Sequence, residues 1–151
     1  MEKVKLQAQY GLYINGQWRN ASDGATYNAE SPADGSHLAV CAQGTREDVE
    51  AASAAAWEAF KTWKKTTPAQ RAALLNKIAD IIDANKEHLA MVESMDNGKP
   101  IRETMNVDIP MAAEHFRYFA GCILAEEGQA SVLNEQFLSI ILREPIGVVG
   151  Q

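Results

Sequence analysis

The chain ends with Arg143-Glu144-Pro145-Ile146-Gly147-Val148-Val149-Gly150-Gln151. The apolar residues Ile146, Val148 and Val149 in this stretch predict a strand buried on both faces, because such a run is favourable only when both faces are covered. A buried strand needs a neighbour on each side, and no residues follow Gln151 to supply one. We therefore expect this chain to be the N-terminal piece of a larger protein, with residues 143–151 as the truncated start of a core strand.

Length and composition predict a globular protein of the cytoplasm. The 151 residues are enough for one domain with a sizeable core, and the net charge is −6. This acidic charge, without a basic cluster, argues against nucleic acid or an anionic membrane as a partner. The first residues, Met1 to Leu6, lack the apolar stretch of a secretory signal, and no run is long enough to span a membrane. Two cysteines, Cys41 and Cys122, are too few for a disulfide scaffold.

Residues 10–43 have the pattern of a small antiparallel β unit. Asn15-Gly16 lies between apolar and aromatic runs. This dipeptide predicts a hairpin, because a type I′ turn needs positive φ at both central positions. Asp23-Gly24 and Asp34-Gly35 predict two further turns.

Residues 45–127 have the pattern of helices. Thr45 is suited to cap the first helix, where acidic residues follow in the first turn. Thr67-Pro68 with Gln70 predicts a capping box at the start of the second helix.

Two further signals mark the third and fourth helices. Gly98 is expected to end the third helix, and Pro110 is expected to kink the fourth, over about 102–123, or to begin a new turn in it. Apolar residues at helical spacing predict the buried faces. These residues are Val49, Ala52, Ala56, Phe60 and Trp63, then Leu74, Leu75, Ile78, Ile81 and Ile82, then Leu89, Val92 and Met95, and finally Ala112, Phe116, Phe119 and Ile123.

The residues that could carry chemistry form no catalytic or metal site that spacing alone identifies. Adjacent carboxylates such as Glu47-Asp48 and Glu126-Glu127 point in different directions on a helix, so they are interpreted as solvated surface. The histidines lack metal-ligand spacing. Cys41 and Cys122 are interpreted as buried structural thiols, because neither lies beside a base or at a helix N-terminus.

Two glycine-containing motifs also predict no functional site on physical grounds. Gly147-Val148-Val149-Gly150 lacks the Gly-x-Gly-x-x-Gly pattern and has no helix after it, so it predicts no nucleotide site. Asp96-Asn97-Gly98-Lys99-Pro100 is interpreted as a helix stop followed by a turn. The residues by themselves therefore identify no catalytic and no cofactor-binding position in this chain.

The order of several sequence blocks is a further signal. The blocks are Tyr13–Trp18, Ser31–Gly35, Glu47–Ala52, Ala59–Trp63, Met95–Thr104, Arg117–Gly121 and Arg143–Gln151. Together they resemble the NAD(P)-dependent aldehyde dehydrogenases over nearly the whole chain. Within that family the chain is most similar to bacterial enzymes that act on acetaldehyde and other short aliphatic aldehydes.

The resemblance implies an α/β fold, of which this chain supplies the N-terminal part: a small β unit, a helical segment and a β-arm hairpin, truncated before the nucleotide-binding sheet is complete. Residues 1–127 would begin the cofactor-binding domain, with strands at 10–43 and helices at 45–127. Residues 128–142 would form part of the β-arm that joins subunits into a homo-oligomer, and residues 143–151 would begin a core strand.

The resemblance also implies the chemistry. In the family, a cysteine thiolate attacks a small aldehyde to give a thiohemiacetal, and hydride transfer to NAD or NADP leaves a thioester. A glutamate then activates the hydrolytic water, and an asparagine amide helps to hold the oxyanion. All of these residues are expected outside this chain, and neither Cys41 nor Cys122 matches the nucleophile. The chain alone is expected to be inactive.

Some positions of this chain match functional positions of the family. Val107 and Met111 match helix positions that line the aldehyde tunnel, although packing in a core explains the same apolar side chains. Glu30, through its carbonyl, and Asp96 match a monovalent-cation site that would be incomplete here. Two other interpretations stay open: a freestanding helical interaction module without catalysis, and an NAD-binding module alone, which the missing nucleotide loop disfavours.

Overall fold

The computed structural model describes residues 4–151, which begin with five short strands. The expectation drawn from Met1 to Leu6 falls partly on residues 1–3, which lie outside the described part of the chain. The strands are β1 Gln9–Tyr10, β2 Leu12–Ile14, β3 Gln17–Arg19, β4 Thr26–Glu30 and β5 His37–Ala42.

Strands β2 and β3 form the predicted hairpin, with Ile14 opposite Gln17 in antiparallel register. Asn15 and Gly16 have φ values of 52° and 76°, as a type I′ turn requires. The Asn-Gly signal is therefore confirmed in both its position and its turn type.

The other three strands form one sheet in the order β1-β5-β4. Strand β5 pairs antiparallel with β4 but parallel with β1, where Gln9 lies opposite Val40. The expectation of a purely antiparallel unit was therefore wrong for β1. Parallel pairing joins segments that are distant in the sequence, so no local turn signal marks it.

Three helices follow, α1 Arg46–Trp63, α2 Pro68–Ala84 and α3 Lys86–Asn97. The predicted caps are present, because the hydroxyls of Thr45 and Thr67 each accept a backbone N–H bond from the third helical residue. That residue's side chain returns a bond to the cap amide, so each start is a capping box. Gly98 ends α3 at a φ of 78°, a left-handed conformation that favours glycine.

The predicted fourth helix is divided into three parts. These are α4 Ile101–Glu103, a π-helical turn at Thr104–Asp108 that we call the π turn, and α5 Ile109–Leu124. Pro110 is the second residue of α5, two positions after the end of the π turn. In a regular α-helix the Pro110 ring would crowd the carbonyl of Asn106, and the wider π turn relieves that crowding. Of the two expectations for Pro110, a kink or a new turn, the new turn is confirmed, because α5 begins at Ile109.

Helix α2 packs along α5, and small side chains fill the helical core. Ala72 and Ala79 of α2 and Ala113 and Ala120 of α5 are each at most 3% exposed. The Arg117 guanidinium of α5 also donates to Asp80 of α2 at 2.8 Å. The helical core is therefore built by close backbone approach rather than by large interlocking side chains.

The predicted buried faces are only partly correct. Leu75, Ile78 and Ile82 are partly buried, but Leu74 and Ile81 on the same helix are exposed. Helical spacing identifies the residues that share a face, whereas it does not say whether anything covers that face. Val49 and Trp63 of α1 and Phe119 of α5 are likewise exposed.

The last two strands, β6 Gln129–Asn134 and β7 Phe137–Ile141, form an antiparallel hairpin whose residues are all exposed. Residues 143–151 then continue without regular secondary structure, and Ile146 is 92% exposed. The predicted buried strand is therefore not formed, since no described strand pairs with this tail. Instead the tail crosses α1, where a Cβ atom at Gly147 would lie 2.8 Å from the Trp57 ring.

Candidate functional site

The turn after α3 and the π turn are joined by an ion pair. The Lys99 ammonium donates to Oδ2 of Asp108 at 2.8 Å. Hydrogen bonding to the Asp108 carboxylate raises the pKa of Lys99 above its usual value. The motif interpreted from sequence as a helix stop thus also holds the end of the π turn.

The backbone of Lys99 is itself fixed on both sides. Its N–H donates to Oδ1 of Asn97 at 2.7 Å, and its carbonyl accepts from the Ser94 hydroxyl at 2.5 Å. Behind it, a Cβ atom at Gly98 would lie 3.0 Å from Cγ of Pro32. The turn is therefore pinned between α3 and the loop that follows β4.

Thr104, the first residue of the π turn, is completely buried. Its hydroxyl is 2.9 Å from the carbonyl oxygen of Ala90 in α3 and 3.2 Å from that of Ile101. A buried hydroxyl with acceptors on two elements holds them together, because leaving it unpaired would be costly. The π turn is thus anchored at its start by Thr104 and at its end by Asp108.

Val107 and Met111, the predicted tunnel residues, lie within and just after this anchored segment. Val107 is in the π turn and Met111 is in the first turn of α5. The two side chains are 41% and 47% exposed, so neither is taken up by the core of the described chain. Both interpretations of these side chains, the lining of an aldehyde tunnel and packing in a core that includes residues outside this chain, stay predictions.

Glu30 and Asp96 lie at the ends of two neighbouring elements. Glu30 ends β4, where the register with β5 shifts, and Asp96 is in the last turn of α3. The pKa of Tyr27 in β4 is raised, mainly by the Cys41 thiol on the paired strand and to a smaller extent by Asp96.

A pocket of about 390 Å³ lies between the loop after β4 and the end of α3, and neither Glu30 nor Asp96 lines it. Ser31 and Met95, the sequence neighbours of Glu30 and Asp96, both line it. Among residues 4–151, no group of three or more histidine, cysteine, aspartate or glutamate side chains comes together to hold a metal ion. A backbone carbonyl and a single carboxylate remain the predicted cation ligands at this place.

Asp48 contradicts the interpretation of Glu47-Asp48 as solvated surface. It is only 2% exposed and accepts from the backbone amides of Ser22 and Thr45, both at 3.0 Å. These bonds, first that to Thr45 and then that to Ser22, lower the pKa of Asp48 to about 2. The Thr45-x-x-Asp48 spacing was the available signal, since it is that of a capping box with aspartate at the third position.

The two cysteines were both expected to be buried, and neither is. Cys122 is exposed and Cys41 is half-buried. Cys122 follows Tyr118 by one helical turn, and a hydrogen bond between the two side chains raises the pKa of Tyr118. Helical spacing shows that Cys122 and Tyr118 share one face of the helix. It does not show whether that face is exposed to solvent or buried in the core.

Sequence reasoning missed the Lys99–Asp108 pair altogether. The two residues are on different elements, and no helical or strand spacing relates them. Only the fold of the turn between α3 and α4 brings the ammonium and the carboxylate together.

The helices among residues 4–151 include none that is both long and apolar enough to cross a lipid bilayer.

Comparison with known proteins relates the chain to one family. A family model described as the aldehyde dehydrogenase family matches residues 18–151. The long-chain-aldehyde dehydrogenase of Acinetobacter sp. is 46% identical over 99% of this chain and 30% of that protein. The acetaldehyde dehydrogenase of Pseudomonas aeruginosa is 45% identical over 98% of this chain and 29% of its own length.

Solved structures give the same relation. The crystal structure of PnpE in complex with nicotinamide adenine dinucleotide is similar with a TM-score of 0.88 and 40% sequence identity. The similarity covers 91% of this chain and 28% of that chain. The chain thus spans about 30% of the length of the relatives it matches.

Proposed function

The chain belongs to the aldehyde dehydrogenase family, and we propose that it forms the N-terminal part of an enzyme that oxidises an aldehyde to a carboxylic acid with NAD or NADP. The observation that carries this proposal is the family match over residues 18–151, which runs through all the helices and the C-terminal hairpin. The proposed location is the cytoplasm, supported by two free cysteines.

The reaction proposed for the longer enzyme uses a cysteine thiolate that forms a thiohemiacetal and then a thioester, which water hydrolyses. When bound, the nicotinamide would accept the hydride that the aldehyde carbon loses. The described residues contain no Gly-x-Gly-x-x-Gly pattern, which is the phosphate-binding loop of a dinucleotide site. We therefore assign no step of the reaction, and no catalytic or cofactor-binding role, to this chain.

What this chain contributes, in our proposal, is part of the aldehyde-binding surface. Val107 and Met111 are exposed apolar side chains on a segment that is anchored at both ends. Such a surface suits an aliphatic aldehyde, because it gains free energy from burying hydrocarbon against hydrocarbon. The names of the relatives, which act on long-chain aldehydes and on acetaldehyde, support an aliphatic substrate class.

The carbonyl oxygen of Glu30 and the carboxylate of Asp96 are proposed as ligands of a monovalent cation. Oxygen donors of these kinds suit a hard cation. Their sequence neighbours Ser31 and Met95 line one pocket, which supports the two residues being near each other, and further ligands would have to come from outside the chain.

We also propose that residues 1–127 begin the cofactor-binding domain, and that residues 143–151, which form no strand in this chain, begin a core strand in the longer enzyme. Residues 128–142 would belong to a β-arm that joins subunits. The support for the arm is a hairpin with exposed apolar side chains on both strands, including Val132, Phe137 and Ile140. In a two-stranded sheet each strand keeps one unpaired edge, which can pair with another chain.

The arm predicts self-association of the purified chain. Replacing Ile140 and Leu142 by lysine is expected to lower the association state, because charge beside a strand edge opposes pairing. Light scattering over a range of concentrations measures the effect. The matched control is lysine at Val49 and Ile81, which adds the same charge at exposed positions on helices. A wild-type chain that remains monomeric at high concentration, or equal effects of both double variants, would contradict the arm proposal.

The proposed function itself is tested by NADH formation. The purified 151-residue chain is expected to form none from acetaldehyde and NAD, because it lacks the proposed nucleophile and base. A longer protein that carries this chain followed by the rest of the enzyme is expected to form NADH. Activity of the 151-residue chain above a buffer control would refute the assignment of chemistry outside it. An inactive longer protein that binds another protein instead would favour the interaction module.

A further inference from the structure

We propose that the ion pair between Lys99 and Asp108 is a positioning clamp, which fixes the π turn and thereby sets where Val107 and Met111 present their side chains. The clamp itself is inferred from the geometry alone. Its effect on the aldehyde rests on the proposed function. Lys99 is a positioning residue in this proposal, because its charged group acts through Asp108 and not on the substrate.

The clamp needs a fixed base on the Lys99 side. The Lys99 backbone supplies it, since the amide of Lys99 donates to Asn97 and its carbonyl accepts from Ser94. Gly98, which precedes Lys99, has a left-handed backbone conformation. A Cβ atom at this position would lie only 3.0 Å from Cγ of Pro32, so the backbone of Gly98 is closely packed against Pro32. The ammonium group therefore extends from a turn with a fixed backbone. If the π turn moved, this backbone could not move with it.

The clamp also needs something that would otherwise move. A π turn is a rare local irregularity within an α-helix, and such turns are frequent at functional sites. Here the bond that defines it is the one from the Ile109 amide to the carbonyl of Thr104. Pro110 follows and has no N–H, so this part of the helix has fewer backbone bonds to hold its shape.

The two ends of the π turn are held by different forces. Thr104 is buried and bonded to Ala90 at the start, whereas Asp108 at the end is held by Lys99. Val107 precedes Asp108 directly and Met111 follows it by three residues, so both lie at the end that the ion pair holds. Loss of Lys99 should therefore loosen the Val107 side of the segment and leave the Thr104 anchor in place.

The local part of the proposal is tested by residue-resolved hydrogen exchange on the 151-residue chain. Lys99→Met is expected to speed exchange of the Ile109 amide about two- to fivefold, as befits a partly exposed ion pair. Lys99→Arg should stay near the wild-type rate, because it restores the charge. Asp108→Asn should match Lys99→Met, and the double variant should add nothing to either. Arg46→Met, which breaks the exposed Arg46–Glu50 pair in α1, is the control and should leave Ile109 unchanged.

The link to the aldehyde is tested in the longer enzyme with the same variants. Lys99→Met is expected to change the ratio of kcat/KM for hexanal and acetaldehyde at least about twofold, mainly through KM, while Lys99→Arg restores the ratio. Unchanged Ile109 exchange in Lys99→Met overturns the clamp. Faster exchange with an unchanged aldehyde ratio overturns its role in presenting Val107 and Met111. A wild-type longer enzyme without aldehyde oxidation instead refutes the proposed function, and the exchange result still decides the clamp.

Discussion

Replacing Asp48 by alanine is expected to lower the melting temperature of the chain by about 5–10 °C. The reason is that Asp48 Oδ2 accepts at 3.0 Å from each of three donors, the amide of Ser22 and both the amide and the hydroxyl of Thr45. Arg19 adds an ion pair at 3.4 Å. Alanine would leave these groups without their acceptor at a position that water scarcely reaches. Thermal unfolding followed by circular dichroism measures the change.

The control for Asp48 is its neighbour in the same turn. Glu47→Ala removes an exposed carboxylate from the first turn of α1 and should shift the melting temperature by at most about 2 °C. Equal shifts for the two variants would mean that the buried hydrogen bonds of Asp48 contribute nothing beyond its charge at the helix N-terminus.

The carboxylate of Asp48 also makes the stability of the folded chain depend on pH. Because the pKa of Asp48 is lowered to about 2 in the folded chain, while the pKa of an unfolded aspartate is about 3.9, the unfolded state binds more protons between these values. The contribution of Asp48 is therefore fully present above about pH 4 and is lost as the pH falls toward 2. Asp48→Asn should flatten this part of the stability profile relative to Glu47→Gln.

Replacing Ala79 by leucine is expected to lower the free energy of unfolding by about 1–3 kcal/mol. Ala79 is 0% exposed and lies on α2, the helix that packs along α5. A core built on close backbone approach has no room for three further carbon atoms, so the helices would have to move apart. Urea unfolding measures the change, with Ala73→Leu at an exposed position of the same helix as the control. A stable, wild-type-like Ala79→Leu chain would show that the helical core is loosely packed.

The features that could be predicted from the sequence are those with local causes. Asn15-Gly16, the Thr67 capping box and the stop at Gly98 each depend on a few adjacent residues, and the structure confirms all three. The family relation was also predictable, because an ordered set of blocks along the chain is specific even when each block is weak, and the match over residues 18–151 confirms it.

The features that escaped prediction have causes that are distant in the sequence. The parallel pairing of β1 with β5 and the pairing of Lys99 with Asp108 both depend on how separate elements fold back on each other. The prediction of which side chains are buried was partly wrong for a related reason. Alanines such as Ala79 are among the most buried residues although they are less hydrophobic than leucine, isoleucine or valine, while Val49 lies exposed on its predicted stripe. Helical period does not reveal which helices approach closely enough for only a methyl group to fit.

The ends of the C-terminal hairpin segment meet each other. A Cβ atom at Gly128 would lie 3.1 Å from the carbonyl oxygen of Ile141, and Arg143 pairs with Glu126 at 3.6 Å. A segment that leaves and returns at one point can be lengthened, shortened or exchanged without re-routing the chain on either side of it, and the entropy of closing it grows only slowly with its length. The helical body and the hairpin can therefore diverge independently during evolution. The same helices can therefore carry hairpins of different length while their own packing is left untouched.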